Sequence, residues 1–276
     1  MLRERAISGA VLVPPLVVAL VLGGPWIVAV VALATGLAAI EAYRLLRAAG
    51  HPALPTLGTL LALAVVADAA VPQLVAGSGL LLGAVGMIVI ALGTFALPDP
   101  RDGVATWMTT VFGALYVSLL GFIVRLGHAA PALPADAPLA GLGAERGWIL
   151  LLVLAVWAYD TGAYFAGRRI GGPRFLQHIS PSKTWAGLAG GLVAATLVTA
   201  ALLAALGEHP AAGFILGPLI GLAAQAGDLA ESMLKRAAGA KESGHLIPGH
   251  GGILDRVDSF LFAAPVATLY VVVAVS

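Results

Sequence analysis

The chain has 276 residues, of which 60% are hydrophobic and 11% charged, against about 45–50% apolar and about 25% charged in an ordinary soluble domain; that balance excludes a soluble globular protein. Fifteen Lys and Arg against fourteen Asp and Glu give a net charge of +1, too little for the broad basic surface that attracts nucleic acid. With no cysteine, neither a disulfide framework nor a thiolate metal site is available.

In chain order, apolar stretches over residues 7–23, 26–43, 57–72, 76–97, 107–124, 147–167, 184–206, 211–230 and 259–275 predict an all-α, polytopic membrane protein with about nine spans. A span needs about 20 residues to cross a hydrocarbon core roughly 30 Å thick. The third stretch is short and carries Asp68, so eight spans with a re-entrant piece is the alternative. Arg3 and Arg5 precede the first run as they would in a secretory signal. The next span follows at once without a small-residue cleavage site, so the run is read as a first membrane helix.

Lys and Arg are retained on the cytoplasmic side of a membrane. Thirteen of the fifteen fall before span one or after spans two, four, six and eight, and only Arg125 and Arg146 fall opposite. The N-terminus is therefore expected in the cytoplasm. Dropping the third span would set the later basic loops against the earlier ones. The organisation that follows has N-terminal membrane helices over residues 1–126 and an external loop over 127–146. Four C-terminal spans then occupy 147–276, with cytoplasmic loops at 168–183 and 236–258. Pro131, Pro134 and Pro138 mark the external loop as a solvated connector.

Charge gathers in two segments. The first, residues 160–184, holds Asp160, Arg168, Arg169, Arg174 and Lys183. Asp160 falls inside the sixth span, where a carboxylate is costly unless it is paired or faces water, and where function is the default reading over a packing ion pair. Ser180-Pro-Ser182-Lys183-Thr184 opens the seventh span; hydroxyls and unpaired N–H groups at a helix start attract anions, and Lys183 adds a full charge.

The second segment, residues 225–259, holds nine of the 29 charges: Asp228, Glu231, Lys235, Arg236, Lys241, Glu242, Asp255, Arg256 and Asp258. On a helix, Asp228, Ser232 and Lys235 share one stripe. Gly249, Gly251 and Gly252 let backbone approach a ligand closely, and His250 between them reads equally as a phosphate contact or a spacer. Asp228 and Asp255, at helix ends and without cysteine nearby, suit a hard cation such as Mg²⁺. All three lysines of the chain (183, 235 and 241) lie in these two segments, where compact ammonium groups suit phosphate or carboxylate contacts. Cytoplasmic loops that merely collect positive charge would explain the sign but not the carboxylates. No P-loop, dinucleotide fingerprint, HExxH or serine elbow is present.

The run Ser232-Met-Leu-Lys235-Arg236, then Lys241, then Pro-Gly249-His250-Gly251-Gly252-Ile-Leu-Asp255-Arg256-Val-Asp258 closely resembles the signature of phosphatidate cytidylyltransferases. Asp160-Thr-Gly-Ala-Tyr-Phe and Ser180-Pro-Ser182-Lys183-Thr184-Trp are similar to that family's preceding motifs. The resemblance covers the C-terminal half and implies an integral enzyme of the cytoplasmic membrane, with its site facing the cytoplasm. Such an enzyme joins CTP to phosphatidic acid, giving CDP-diacylglycerol and pyrophosphate for phospholipid synthesis. By the same resemblance Asp228 and Asp255 bind one or two Mg²⁺ ions and Asp258 is the second acid of the signature. Lys183, Lys235, Arg236, Lys241 and Arg256 handle phosphates, beside Ser180, Ser182, Thr184, Ser232, Gly249, His250, Gly251 and Gly252. Asp160 and Glu242 complete the candidate metal set. Glu242 stands where the family usually has Asp, and Ala186 stands where it usually has Glu, so position 186 is given no role.

CTP, phosphatidic acid and the lipid bilayer are the expected partners, nucleic acid is not, and a homodimer is left open. The rivals are a CTP-dependent polyprenol or phytol kinase, which would transfer the γ-phosphate, and a transporter of an anionic solute. Transport would place charges near the midplane between related halves, whereas here they gather on one side.

Overall fold

The computed structural model describes residues 14–71, 78–247, 249 and 251–275. Arg3, Arg5, the start of the first span and His250 lie outside the described residues. The structure is 77% helical, and the described residues contain no strand, only two isolated bridges, so the expected all-α class holds. After helical residues 14–22 come α1 (Pro25–Ala48), α2 (Pro55–Ala70), α3 (Ser78–Thr94), α4 (Pro100–Ser118), α5 (Gly121–Ala129), α6 (Ala144–Ile170), α7 (Trp185–Ala205), α8 (Gly213–Ala237) and α9 (Leu254–Tyr270).

Among the described residues five helices are long and apolar enough to cross a membrane: α1, α6, α7, the run Pro210–Ala237 that contains α8, and the run Leu254–Val275 that contains α9. α4 and α5 make a sixth if the pair, bent by 42°, is one broken span. The protein is thus a multi-pass membrane protein. Of the nine expected spans, the start of the first lies outside the described residues, and the third and fourth are not among the full-length helices; helix length sets those two apart. α2 and α3 have 16 and 17 residues, or about 24–26 Å at 1.5 Å per residue, short of a core of roughly 30 Å. Large apolar side chains such as Leu80, Phe214 and Val273 are exposed, as a lipid solvent allows.

The described residues divide into two compact units, neither continuous in sequence. The first takes the described residues of Met1–Ala19, Pro25–Val124 and Met233–Val257; the second takes Leu20–Gly24, Arg125–Ser232 and the described residues of Asp258–Ser276.

In the first unit α1 ends at Gly50, whose φ of +85° suits glycine, and α2 and α4 each start with a proline in the first turn, where the missing N–H costs nothing. Tyr43 is buried, and its hydroxyl donates to the Thr110 carbonyl at 2.6 Å. Its ring lies over Gly113, where a Cβ would come within 2.5 Å of the ring edge.

In the second unit α6 and α7 meet along a seam of small residues. A Cβ on Gly191 would stand 2.7 Å from the Tyr159 ring, and one on Gly162 would stand 2.6 Å from the Ala194 methyl. Close backbone approach of this kind is how helices gain contact where lipid removes the hydrophobic drive. The seam fixes the register of α6 against α7, with Tyr159 at the level of Gly191 and Gly167 against the start of α7.

Candidate active site

Each unit holds one cluster of charged groups. In the second unit the chain leaves α6 through Gly171 and Gly172, with φ of +67° and +97°, and returns to α7 along a closed loop. Arg174 and Thr184 form a bridge, the Phe175 N–H donates to the Lys183 carbonyl at 3.2 Å, and the Trp185 N–H donates to the Pro173 carbonyl at 3.1 Å. Thr184 caps α7 by accepting the Gly187 N–H at 3.1 Å. Backbone bonds therefore hold Lys183 from both sides. Its ammonium pairs with Asp228 of α8, with side-chain exposures of 26% and 22%, leaving both groups accessible to a ligand. Asp160, exposed on α6, feels the charges of Lys183 and Asp228. The three residues drawn from the sixth, seventh and eighth predicted spans thus form one charged cluster.

Behind this cluster the buried Tyr159 hydroxyl donates to Gln225 Oε1 at 2.8 Å, while Gln225 Nε2 has no hydrogen-bond partner among the described residues. Ser180 is buried and Ser182 exposed. Asp258 turns to its own helix and accepts the Ser259 N–H at 2.7 Å.

In the first unit Lys235 Nζ lies 2.6 Å from Asp255 Oδ1, with exposures of 11% and 9%. Asp255 Oδ2 accepts three bonds: from Ser243 N at 2.8 Å, Ser243 Oγ at 2.8 Å and Gly252 N at 2.9 Å. The Ile247 N–H donates to the Gly251 carbonyl at 2.9 Å, closing the glycine-containing turn. Gly249 and Gly251 have φ of +76° and +77°, a region that favours glycine. A Cβ on Gly251 would lie 2.6 Å from Asp255 Oδ2, and one on Gly252 would overlap Ser243 Oγ and Glu41 Oε2.

Other signature residues lie in the same segment. Arg236 donates to the Ala240 carbonyl at 3.1 Å. Glu242 lies 3.8 Å from His245 Nδ1. Lys241, Gly249 and Arg256 are exposed, and Ser232 is buried. Residue-by-residue reading missed Glu41 and Ser243. Glu41 was visible as a lone carboxylate at the end of an apolar span, a position that points to function by default. Ser243 carried no such signal, because its role depends on which carboxylate folds against it.

For a metal, the donors are carboxylate oxygens, which suit a hard divalent ion. Asp228 and Asp255 each already hold a cationic ammonium. Among the described residues no three acidic or histidine side chains are grouped to cage an ion; a Mg²⁺ bound through one or two carboxylates plus substrate phosphates needs no such cage.

Residues 3–274 match the sequence pattern of the cytidylyltransferase family. A phosphatidate cytidylyltransferase of Synechocystis is 35% identical over 290 residues, covering 98% of this chain and 96% of that protein. One from Mycobacterium tuberculosis is 35% identical over 261 residues, covering 87% and 73%. Another, from Brucella suis, is 48% identical over 125 residues, covering 44% of this chain and 46% of that protein, so that match spans about half the relative's length. With the family pattern extending across nearly its whole length, the chain belongs to the cytidylyltransferase family.

Proposed function

We propose that this protein joins CTP to phosphatidate, forming CDP-diacylglycerol and pyrophosphate. The observation that carries the reading is the pairing of Lys183 with Asp228 and of Lys235 with Asp255 within a chain of the cytidylyltransferase family. Each pair sets an ammonium beside a carboxylate, the first at a partly open position and the second nearly buried, the two kinds of group that handling phosphates with a cation requires.

In the reaction a phosphatidate oxygen attacks the α-phosphorus of CTP. The bond from that phosphorus to the β-phosphate oxygen breaks, and pyrophosphate leaves with the electron pair. A phosphate oxygen is ionised near neutral pH, so no strong base is needed, and positioning with electrostatic stabilisation supplies the catalysis. Both reactants are polyanions. Lys183 and Lys235 offset their repulsion close to the carboxylates, and the exposed Lys241, Arg236 and Arg256 draw phosphates in from the aqueous side. Ser180, Ser182 and Thr184, in the same loop as Lys183, would add hydroxyls for phosphate contacts. Asp228 in the second unit and Asp255 in the first would each hold a Mg²⁺ ion, with Asp160 and Asp258 as further acids of the second unit and Glu242 of the first; a bound ion would neutralise and orient phosphate oxygens. The bias of basic residues to one side of the spans supports a cytoplasmic site in the inner membrane, where the lipid headgroup arrives from the leaflet and CTP from the cytosol.

The test is to incubate the purified protein with CTP, phosphatidic acid and Mg²⁺ and to identify the products. CDP-diacylglycerol with pyrophosphate is expected, and omission of divalent ions abolishes it. Free CDP with a phosphorylated lipid would move the assignment to a CTP-dependent lipid kinase.

A further inference from the structure

Glu41 is a buried carboxylate, only 3% exposed, in the helix α1, within the apolar sequence Leu37-Ala-Ala-Ile-Glu41-Ala. A charge in such a place needs donors, and the contacts drawn from the signature segment all come from one short region more than 200 residues away. Oε1 accepts the Ile253 N–H at 3.1 Å, and Oε2 accepts the Leu254 N–H at 2.8 Å and faces Ser243 Oγ at 3.1 Å. The Leu254 N–H is the first of α9 and the Ile253 N–H immediately precedes it, at a helix start where intrahelical acceptors are lacking and negative charge is favoured.

We infer that Glu41 is a positioning residue of the proposed reaction: from α1 it holds the backbone of residues 253–254 and the Ser243 hydroxyl, and through them it sets the carboxylate of Asp255. The inference rests on the proposed function for the role of Asp255. Three observations connect the two acids. Ser243 Oγ lies 3.1 Å from Glu41 Oε2 and 2.8 Å from Asp255 Oδ2, and its single proton ties it to one while its position is shared by both. Asp255 Oδ2 is occupied by Ser243 and Gly252, so Oδ1, facing Lys235, is the oxygen turned to the site. The signature loop is also shaped around Glu41, because a Cβ on Gly244 would stand 2.6 Å from Oε1 and one on Gly252 would overlap Oε2. Gly252 is therefore required by a carboxylate of the protein itself.

Glu41→Gln is the informative variant. It keeps the volume of the side chain, but an amide NH₂ cannot accept a hydrogen bond, so either Ile253 or Leu254 loses its acceptor. Full-length protein in detergent would be assayed for kcat and KM, and for backbone amide hydrogen exchange. Misplacement by about 1 Å costs on the order of 100-fold in rate. The expected result is a kcat lowered roughly 10–100-fold with KM for CTP changed by less than about threefold. Exchange should quicken in peptides covering 243–255 and stay at the wild-type rate in those covering α6 and α7. Gly244→Ala, which presses a methyl group on the same oxygen without removing the charge, should give the same pattern. Unchanged exchange over 243–255, an unchanged kcat, or faster exchange throughout the chain would each overturn the assignment, the last by showing that Glu41 only anchors the fold. If wild-type protein makes no CDP-diacylglycerol, the proposed function falls, and with it the catalytic meaning of this placement; the exchange measurement still reads whether Glu41 holds these amides.

Discussion

Replacing Asp255 with Asn removes one charge from a place built around it. The amide oxygen can take the position of Oδ2 and keep the bonds from Ser243 N, Ser243 Oγ and Gly252 N, but each changes from a bond to an ion to a neutral one. With about 1 kcal/mol for a neutral bond against about 1.5–3 for a charged one, the three together lose about 1.5–6 kcal/mol. The amide NH₂ is then turned toward Lys235 Nζ, donor against donor, where an ion pair of 2.6 Å stood. Since both side chains are about a tenth exposed, breaking the pair falls near the buried case of about 3–5 kcal/mol; the two figures describe the same loss from two sides. At about 2–4 °C per kcal/mol, the variant should unfold on the order of 10 °C below wild type in a detergent thermal scan followed by tryptophan fluorescence. Lys235→Met in the Asp255→Asn background removes the stranded ammonium and should return about 1–3 kcal/mol, a non-additivity expected of residues in contact. An Asp255→Asn protein that unfolds within about 2 °C of wild type, or strictly additive single and double variants, would refute the energetic role assigned to the pair.

Tyr159→Phe strips Gln225 Oε1 of its donor and should destabilise by about 1–2 kcal/mol, whereas Tyr159→Phe combined with Gln225→Leu, which removes both polar partners, should unfold close to wild type. The same thermal scan reads both. Gly191→Ala places a Cβ 2.7 Å from the Tyr159 ring and should cost about 1–3 kcal/mol by overpacking, while Gly83→Ala, where nothing lies within 4 Å, should leave the transition in place. Lys183→Met removes the ammonium beside Asp228 and Asp160. It should lower CDP-diacylglycerol formation about 100-fold or more, comparable with removing a preorganised electrostatic group elsewhere, and near-normal turnover in a folded Lys183→Met protein would remove Lys183 from the site.

Much of this protein could be read from composition and spacing because a membrane chain has few charges to spend at random. An apolar background makes each Asp or Lys conspicuous, and the i, i+4, i+7 stripe of Asp228, Ser232 and Lys235 needs only helix periodicity. The all-α class, the family and the two charged segments were all available from one dimension. Which apolar stretches form long unbroken helices was not, because hydropathy counts apolar residues whereas helix continuity depends on packing and turns: α2 and α3 stop at 16 and 17 residues, and α4 bends into α5.

Pairing was likewise a matter for the fold. A helix stripe offers Asp228 and Lys235 to the same side, yet Asp228 takes Lys183 and Lys235 takes Asp255, because loop closure at 173–185 and at 247–251 brings each partner in from elsewhere. The role of Glu41 lay furthest from the sequence. Its partners are more than 200 residues away, and Met233–Val257 packs in one unit with the N-terminal helices. Local propensity and hydrophobic period act over a few turns of chain. The acceptor that satisfies the start of α9 is chosen by three-dimensional packing alone.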